Sequence, residues 1–282
     1  MDETAKFQAQ VAANIAGLAG DEDVQALSRI WVREIARHNY AYNFSWLGRP
    51  IIQFPQDIVA MQELLWDVKP DLVIETGIAH GGSLILSASL LAMLDYCDAV
   101  ADGTSLNPRT PGRRVLGVDV DIRAHNRAAI EAHPMAHRIQ MIQGSSVAPA
   151  IVAQVREIAR GYRRVLVCLD SNHTHAHVLA ELEAYAPMVT NGSYCVVFDT
   201  LIEKMPEVMS AGRPWGVGNN PMTAVQSFLA ALVNQSTVAL DGERLLFEMD
   251  RQIDSKLLLS AAPQGYLRRV EKTALLALDG TP

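Results

Sequence analysis

Four acidic residues each stand at the end of a short apolar run, where a carboxylate can reach a ligand. They are Glu75, Asp119, Asp170 and Asp199. The runs are predicted to be parallel strands, and in an open parallel sheet ligands bind beyond the carboxyl ends of the strands. The alternative is that each acid only caps the helix that follows it. Four acids in the same position favour a binding edge over four separate caps.

A glycine-rich turn follows the first of these acids and reads Glu75-x-Gly77-x-x-x-Gly81-Gly82. A dinucleotide-binding turn has glycines at its first, third and sixth positions, whereas here the spacing is longer and an acid precedes it. An acid suits a cationic group, such as the α-ammonium of S-adenosylmethionine, better than a pyrophosphate. Asp119 could accept both hydroxyls of a ribose. Together the two features favour S-adenosylmethionine, and NAD stays the weaker alternative.

The second group of candidate residues comprises Asp170, His173 and Asp199. Because Asp170 and Asp199 end neighbouring predicted strands, their carboxylates can share a hard divalent cation. His173 would lie beside that cation, where a neutral imidazole can take a proton from a hydroxyl. The residues therefore predict a metal and a general base at one edge of the sheet.

Three histidines in this stretch offer a competing zinc site. His173 and His177 are four residues apart on a predicted helix, which suits a ligand pair, but the Glu of the metalloprotease pattern is missing between them. We expect His175 and His177 to be solvated side chains at a helix start and His173 to be functional. Ser146 is equally consistent with a contact to adenine and with an ordinary helix cap.

The composition limits the class of protein. The chain has 282 residues and a net charge of −7, which argues against a nucleic-acid partner because phosphate binding needs a basic face. No apolar run is expected to reach the length of a membrane span, and the start lacks the features of a signal peptide. Three cysteines, Cys97, Cys168 and Cys195, are read as reduced thiols. A cytoplasmic protein that binds neither membrane nor nucleic acid is expected.

An α/β fold is predicted from the alternation of short apolar runs with helical patterns. Strands are predicted at 71–75, 114–120, 138–143, 164–170 and 193–198, with helices at 83–96, 123–133, 147–160 and 174–186. Such runs indicate a parallel sheet covered on both faces. Further strands at 244–249, 256–261 and 266–270 predict an antiparallel hairpin at one edge. We expect residues 1–54 to form a helical arm and substrate-side segment, and residues 55–282 to form the main domain.

Three motifs in order resemble the cephalosporin hydroxylase family. They are Ile74-Glu75-Thr76-Gly77-Ile78-Ala79-His80-Gly81-Gly82-Ser83, Asp170-Ser171-Asn172-His173-Thr174-His175 and Arg213-Pro214-Trp215-Gly216-Val217-Gly218-Asn219-Asn220-Pro221. The resemblance implies a Rossmann-like class I methyltransferase fold with a mostly parallel seven-stranded sheet. Relatives in this family methylate hydroxyls of macrolide sugars with S-adenosylmethionine. Its cephalosporin members act with a partner in installing a methoxy group.

The resemblance also implies roles for particular residues. The cofactor would be held by Glu75, Gly77, Ala79, Gly81, Ser83, Asp119, Ser146 and Asp170. Magnesium would be bound by Asp170 and Asp199, with His173 as the base. The sugar-methylating relatives carry two acids at the end of the fifth strand, and Phe198 replaces the first of them here. Thr200 or water could then complete the metal site, since magnesium tolerates retained waters.

These observations predict a magnesium-assisted O-methyltransferase that uses S-adenosylmethionine. By family likeness the acceptor is expected to be a hydroxyl of a sugar or natural product, and the protein is expected to self-associate. One alternative is an accessory cofactor-binding protein of a two-component methoxylation system. An NAD-dependent dehydrogenase is a weaker alternative, and a zinc hydrolase built on the histidines comes last.

Overall fold

A seven-stranded sheet forms the centre of the molecule in a computed structural model that describes residues 2–271. Its strands are β3 (Leu72–Thr76), β4 (Arg114–Asp119), β5 (Ile139–Gln143), β6 (Val165–Leu169), β7 (Tyr194–Val197), β8 (Phe247–Met249) and β9 (Tyr266–Arg269), after a separate hairpin of β1 (Phe44–Trp46) and β2 (Arg49–Ile51). Their order is β5-β4-β3-β6-β7-β9-β8. Strands β3 to β7 run parallel, and β9 pairs antiparallel with both β7 and β8. This confirms the predicted fold class and its antiparallel edge.

Nine α-helices cover the sheet and form the amino-terminal arm in the described part of the chain. They are α1 (Glu3–Gly20), α2 (Glu22–Ala36), α3 (Pro55–Val68), α4 (Gly82–Asp102), α5 (Ala124–Glu131), α6 (Pro149–Ala159), α7 (His175–Tyr185), α8 (Pro221–Asn234) and α9 (Arg251–Leu257). Successive strand residues face opposite sides of the sheet, so Ile74 and Val167 enter one hydrophobic core while Val73 and Leu166 enter the other. Helices therefore cover both faces of the sheet. Their packing holds the strand ends that carry the acids in place.

The predicted strand at 256–261 is wrong. Residues Arg251–Leu257 form helix α9, because the Asp250 carboxylate accepts hydrogen bonds from the backbone N–H groups of Gln252 and Ile253. An acid at this cap position favours a helix over a strand. Helix α9 thus lies inside the connection between the two antiparallel edge strands.

Helix α4 corrects the expectation that no apolar run reaches the length of a membrane span. By length and hydropathy, this 21-residue helix is one that could cross a membrane. In the structure its buried side chains, among them Leu84 and Leu91, pack in the core with Val73 and Val115 of the sheet. Its apolar composition is therefore used for packing within the domain.

The parts of the amino-terminal segment differ in how closely they pack on this domain. No residue of α1 is buried, and α2 buries only Ser28 and Val32. The β1–β2 hairpin, in contrast, approaches the first turn of α4 so closely that a Cβ on Gly82 would lie 2.2 Å from the carbonyl oxygen of Pro50. The expected division of the chain after residue 54 stays a prediction.

Candidate active site

A cleft of about 490 Å³ opens at the carboxyl ends of β3, β6 and β7. Its floor is the glycine-rich turn after β3, one wall is residues 50–54 with Tyr40 and Tyr42, and the other wall is the segment from Asp199 to Trp215. Strand order reverses at β3, between β4 and β6, which is where ligands bind in sheets of this type. Of the predicted cofactor residues, Gly77, Ala79, Ser83 and Asp170 line this cleft.

The glycine-rich turn is shaped by its own backbone and by Asp119. Gly77 has φ +88°, and a Cβ there would lie 2.0 Å from the carbonyl oxygen of Asp170. The Asp119 carboxylate accepts hydrogen bonds from the N–H of Ile78 at 2.7 Å and of Asp121 at 2.9 Å. A Cβ on Gly81 would lie 2.4 Å from Cδ1 of Ile130. These contacts place the turn directly beside the end of β6.

Glu75 lies beneath the turn and is only 4% exposed. Its Oε1 accepts a hydrogen bond from the Ser87 hydroxyl at 2.6 Å, and burial raises the pKa of its carboxyl. Above it, α4 begins after Gly81 without a side-chain cap. Helix amino ends bind carboxylates through their free N–H groups. The buried acid and the helix end match the ammonium and the carboxylate of a methionine moiety.

Asp170, His173 and Asp199 come together as predicted. One ligand atom from each residue lies within 4.8 Å of the others, and His173 Nε2 is 3.2 Å from Asp199 Oδ2. Within residues 2–271 this is the one group of three or more His, Cys, Asp or Glu side chains that meets this geometry. Burial, and then the charge of Asp199, raise the pKa of the Asp170 carboxyl well above its usual value. A divalent cation fits this donor set because it would offset the repulsion between the two carboxylates.

Both neighbours of Asp199 in the sequence are buried. Phe198 is buried and contributes to the hydrophobic core as well as to the cleft. Thr200 is fully buried, and its hydroxyl donates a hydrogen bond to the carbonyl of Pro263 at 2.7 Å. The Thr200 hydroxyl is thus engaged with Pro263, and its role as a metal ligand stays a prediction.

The other two histidines are not the solvated side chains that we expected. His175 Nδ1 is 2.8 Å from the Thr223 hydroxyl, whereas His177 Nε2 is 3.1 Å from Ser146 Oγ. His177 also lies 3.5 Å from the fully buried carboxylate of Glu181. Because these rings point to different partners, the three histidines do not converge on one ion. Ser146 is buried and lies outside the lining of the cleft.

Further residues of the cleft were not predicted to be site residues. The Trp215 ring meets His173 edge to face at 4.9 Å, and the Arg213 guanidinium lies 5.4 Å from the Trp215 ring centre. Gln53 is 5% exposed, and its Oε1 has no hydrogen-bond partner. Tyr40 and Tyr42 also line the cleft. Aromatic side chains thus surround the acidic cluster.

Known proteins resemble this chain in sequence and in fold. The family model described as Rhamnosyl O-methyltransferase/CmcI matches residues 38–270. A rhamnosyl O-methyltransferase of Mycobacterium leprae (strain TN) is 30% identical over 192 residues, which cover 67% of this chain and 72% of the relative. Its counterpart in Mycobacterium bovis (strain BCG / Pasteur 1173P2) is 27% identical over 217 residues, 76% of this chain and 73% of that one. A solved structure of CmcI with Mg and SAM has a TM-score of 0.51 and 18% identity, covering 81% of this chain and 77% of that chain.

Proposed function

The chain belongs to the rhamnosyl O-methyltransferase/CmcI family, and we propose that it transfers the methyl group of S-adenosylmethionine to a hydroxyl of a sugar or natural product. Family membership confirms the resemblance and the O-methyltransferase class expected from the sequence. The expected cofactors agree with the Mg and SAM of the CmcI structure. The observation that carries the proposal is the cluster of Asp170, His173 and Asp199 beside the glycine-rich turn in one cleft.

The cofactor side of the cleft would orient the donor. S-adenosylmethionine, when bound, supplies an electrophilic methyl group on a sulfonium. Glu75 and the amino end of α4 would hold its amino-acid part, while Asp119, which fixes the turn, would bind the ribose. The reaction transfers a methyl group between two bound molecules, so the main contribution of these residues is to hold the donor in line with the acceptor.

The acidic cluster would act on the acceptor. Asp170 and Asp199 would hold magnesium, which lowers the pKa of a hydroxyl when it is bound. His173 lies between these acids and the Trp215 ring, so its imidazole can receive the proton of an acceptor hydroxyl. Asp199, at 3.2 Å, would stabilise the charged imidazole that results.

The acceptor wall favours a molecule with both polar and apolar faces. Tyr40, Tyr42, Phe54, Met205 and Trp215 present aromatic and thioether surface to the cleft. The apolar face of a sugar ring packs on such surface, while its hydroxyls reach the acidic cluster. A glycosylated natural product or a glycolipid headgroup fits this arrangement.

We also propose that the protein is cytoplasmic and self-associates. Leu27, Ile30 and Trp31 of α2 are 48–63% exposed, and exposed apolar patches of this kind often mark protein interfaces. Light scattering after size exclusion, on the wild type and on Trp31→Ser, tests the self-association. A monomeric wild-type protein would contradict it.

Methyl transfer by the purified protein tests the main proposal. The protein is incubated with S-adenosylmethionine, Mg²⁺ and a panel of rhamnosides and macrolide glycosides, and S-adenosylhomocysteine is quantified. Production of this compound with one class of acceptor is expected. Phe198, in place of an acid, favours an accessory role as the second candidate. A protein that binds the cofactor yet transfers no methyl group without a partner oxygenase would support that role.

A further inference from the structure

The backbone of the glycine-rich turn is strained at a residue that is not glycine. Gly77, Ala79 and Gly81 all have positive φ, and Ala79 has φ +45°. Residues with a Cβ rarely adopt this conformation, and it persists only where the surrounding structure holds it in place. The contacts of Ala79 and of its neighbour His80 therefore decide the shape of the turn.

Two side chains from distant parts of the chain bind the carbonyl groups of these residues. Arg49 donates to the carbonyl of His80 from Nε at 3.0 Å and from Nη2 at 2.6 Å. Asn126 donates from Nδ2 to the carbonyl of Ala79 at 2.9 Å. The two side chains also bind each other, since Arg49 Nη2 donates to Asn126 Oδ1 at 3.2 Å. We call this pair the carbonyl clamp.

The clamp opposes Asp119 across the turn. Asp119 accepts from the N–H groups of Ile78 and Ala79 at 2.7 and 3.4 Å, whereas Arg49 and Asn126 hold the carbonyl side. Asn126 is 4% exposed, so water competes little for the hydrogen bonds of its amide. The turn is thus fixed on both sides before any ligand arrives.

Arg49 also connects the turn to the other wall of the cleft. It lies on β2, and the residues that follow it, 50–54, line the cleft opposite the acidic cluster. The carbonyl of Leu47 in the same hairpin lies 3.0 Å from His133 Nε2. The hairpin is therefore anchored at its tip and at Arg49, and it forms one unit with the turn.

We propose that Arg49 and Asn126 are positioning residues that hold the turn in the shape that binds S-adenosylmethionine. This role rests on the proposed function of the cleft. A turn that is already ordered loses less conformational entropy when the cofactor binds, so the clamp increases cofactor affinity without touching the reacting atoms. The guanidinium group is required because its several N–H groups donate to the His80 carbonyl and to Asn126 Oδ1 at the same time.

Calorimetric titration with S-adenosylhomocysteine tests the clamp. Asn126→Ala and Arg49→Met should each weaken binding by about tenfold or more, as expected for the loss of hydrogen bonds around a charged group. Arg49→Lys keeps one donor and should lie between these variants and the wild type. Arg127→Met is the matched control, because Arg127 is the next residue on α5 and, within residues 2–271, its guanidinium hydrogen-bonds Glu131 and Gln143 rather than the turn.

Hydrogen exchange separates a positioning role from a loss of folding. In Arg49→Lys and Asn126→Ala, the amides of Ile78 and Ala79 should exchange faster while those of β4 and β6 keep their protection. Folded Arg49→Met and Asn126→Ala proteins that bind within twofold of the wild type would overturn the clamp alone. Equal weakening in Arg127→Met would also overturn it. A wild-type protein that binds neither S-adenosylmethionine nor S-adenosylhomocysteine would overturn the proposed function, and this proposal with it.

Discussion

The two sides of the cleft differ in how their carboxylates are paired, although burial raises the pKa of one carboxyl on each side, Glu75 and Asp170. On the cofactor side, Asp119 and Glu75 are satisfied by backbone N–H groups and by the Ser87 hydroxyl. On the acceptor side, Asp170 and Asp199 lie close together with His173, and the pKa of Asp170 is raised by burial and by its acidic neighbours. The comparison teaches that the protein's own groups pair the carboxylates of the first side, whereas on the second side a cation would pair them.

The largest effect is expected on the acceptor side from His173→Ala. Loss of a general base lowers turnover by about 10²- to 10⁴-fold, while binding of S-adenosylhomocysteine should be unchanged because His173 is not among the residues predicted to hold the cofactor. His175→Ala is the control, since His175 binds Thr223 outside the cluster. Steady-state rates and calorimetry measure the two quantities. Unchanged turnover in His173→Ala would remove this residue from the mechanism.

Metal binding should stabilise the folded protein through the carboxylates of the acceptor side. At a Mg²⁺ concentration a hundred times its Kd, the free energy of unfolding should rise by about 2.7 kcal/mol. Thermal unfolding with Mg²⁺ and with EDTA measures the change. Asp199→Asn should abolish it, whereas Asp102→Asn, an exposed position at the end of α4, should keep it. A response to Mg²⁺ that survives in Asp199→Asn would place the metal elsewhere.

Asp57 shows that hydrogen bonds alone do not cancel the cost of burial. It accepts from Ser260, Ala261 and Tyr266, yet desolvation raises its pKa from 3.8 to about 6. Because the folded state holds this proton more tightly, its contribution is fully present below about pH 4 and is lost as the pH rises to about 6. A shift of this size corresponds to about 3 kcal/mol.

Urea unfolding between pH 4 and 6.5 measures this contribution. The decline in stability should be smaller in Asp57→Asn, and Asp67→Asn, an exposed position on the same helix, should match the wild type. An identical decline in Asp57→Asn would show that other groups cause it.

The smallest effect is expected from the aromatic wall. Trp215→Ala removes the edge-to-face contact with His173, and such contacts contribute about 0.5–1.5 kcal/mol. We expect the KM for the acceptor to rise by roughly two- to tenfold, with no change in cofactor affinity. Trp66→Ala alters a half-exposed tryptophan outside the cleft and should leave both constants unchanged. Weaker cofactor binding in Trp215→Ala would contradict the division of the cleft into two halves.

Sequence reasoning found the acids because strand ends and glycine turns are local patterns. The same reasoning located Asp170, His173 and Asp199, which follow two strands that become neighbours in any parallel sheet of this order. It missed the contact between Arg49 and Asn126 because they lie 77 positions apart in the sequence and no local pattern pairs them.

The contacts of side chains are the other feature that the sequence leaves open. Thr200 follows a strand-end acid, yet its hydroxyl binds the Pro263 carbonyl, 63 residues away. His175 and His177 were expected to face solvent, but tertiary contacts with Thr223 and Ser146 orient them. In each case a long-range hydrogen bond decides what a local pattern leaves open.

Calorimetric titration of the wild-type protein with S-adenosylhomocysteine, first in EDTA and then in Mg²⁺, tests the division of the cleft most directly. We predict binding in EDTA, because the cofactor half is assembled by the protein itself. Addition of Mg²⁺ should then give a separate binding event that Asp199→Asn lacks. Absence of binding in both conditions, or binding only with Mg²⁺, would contradict the account.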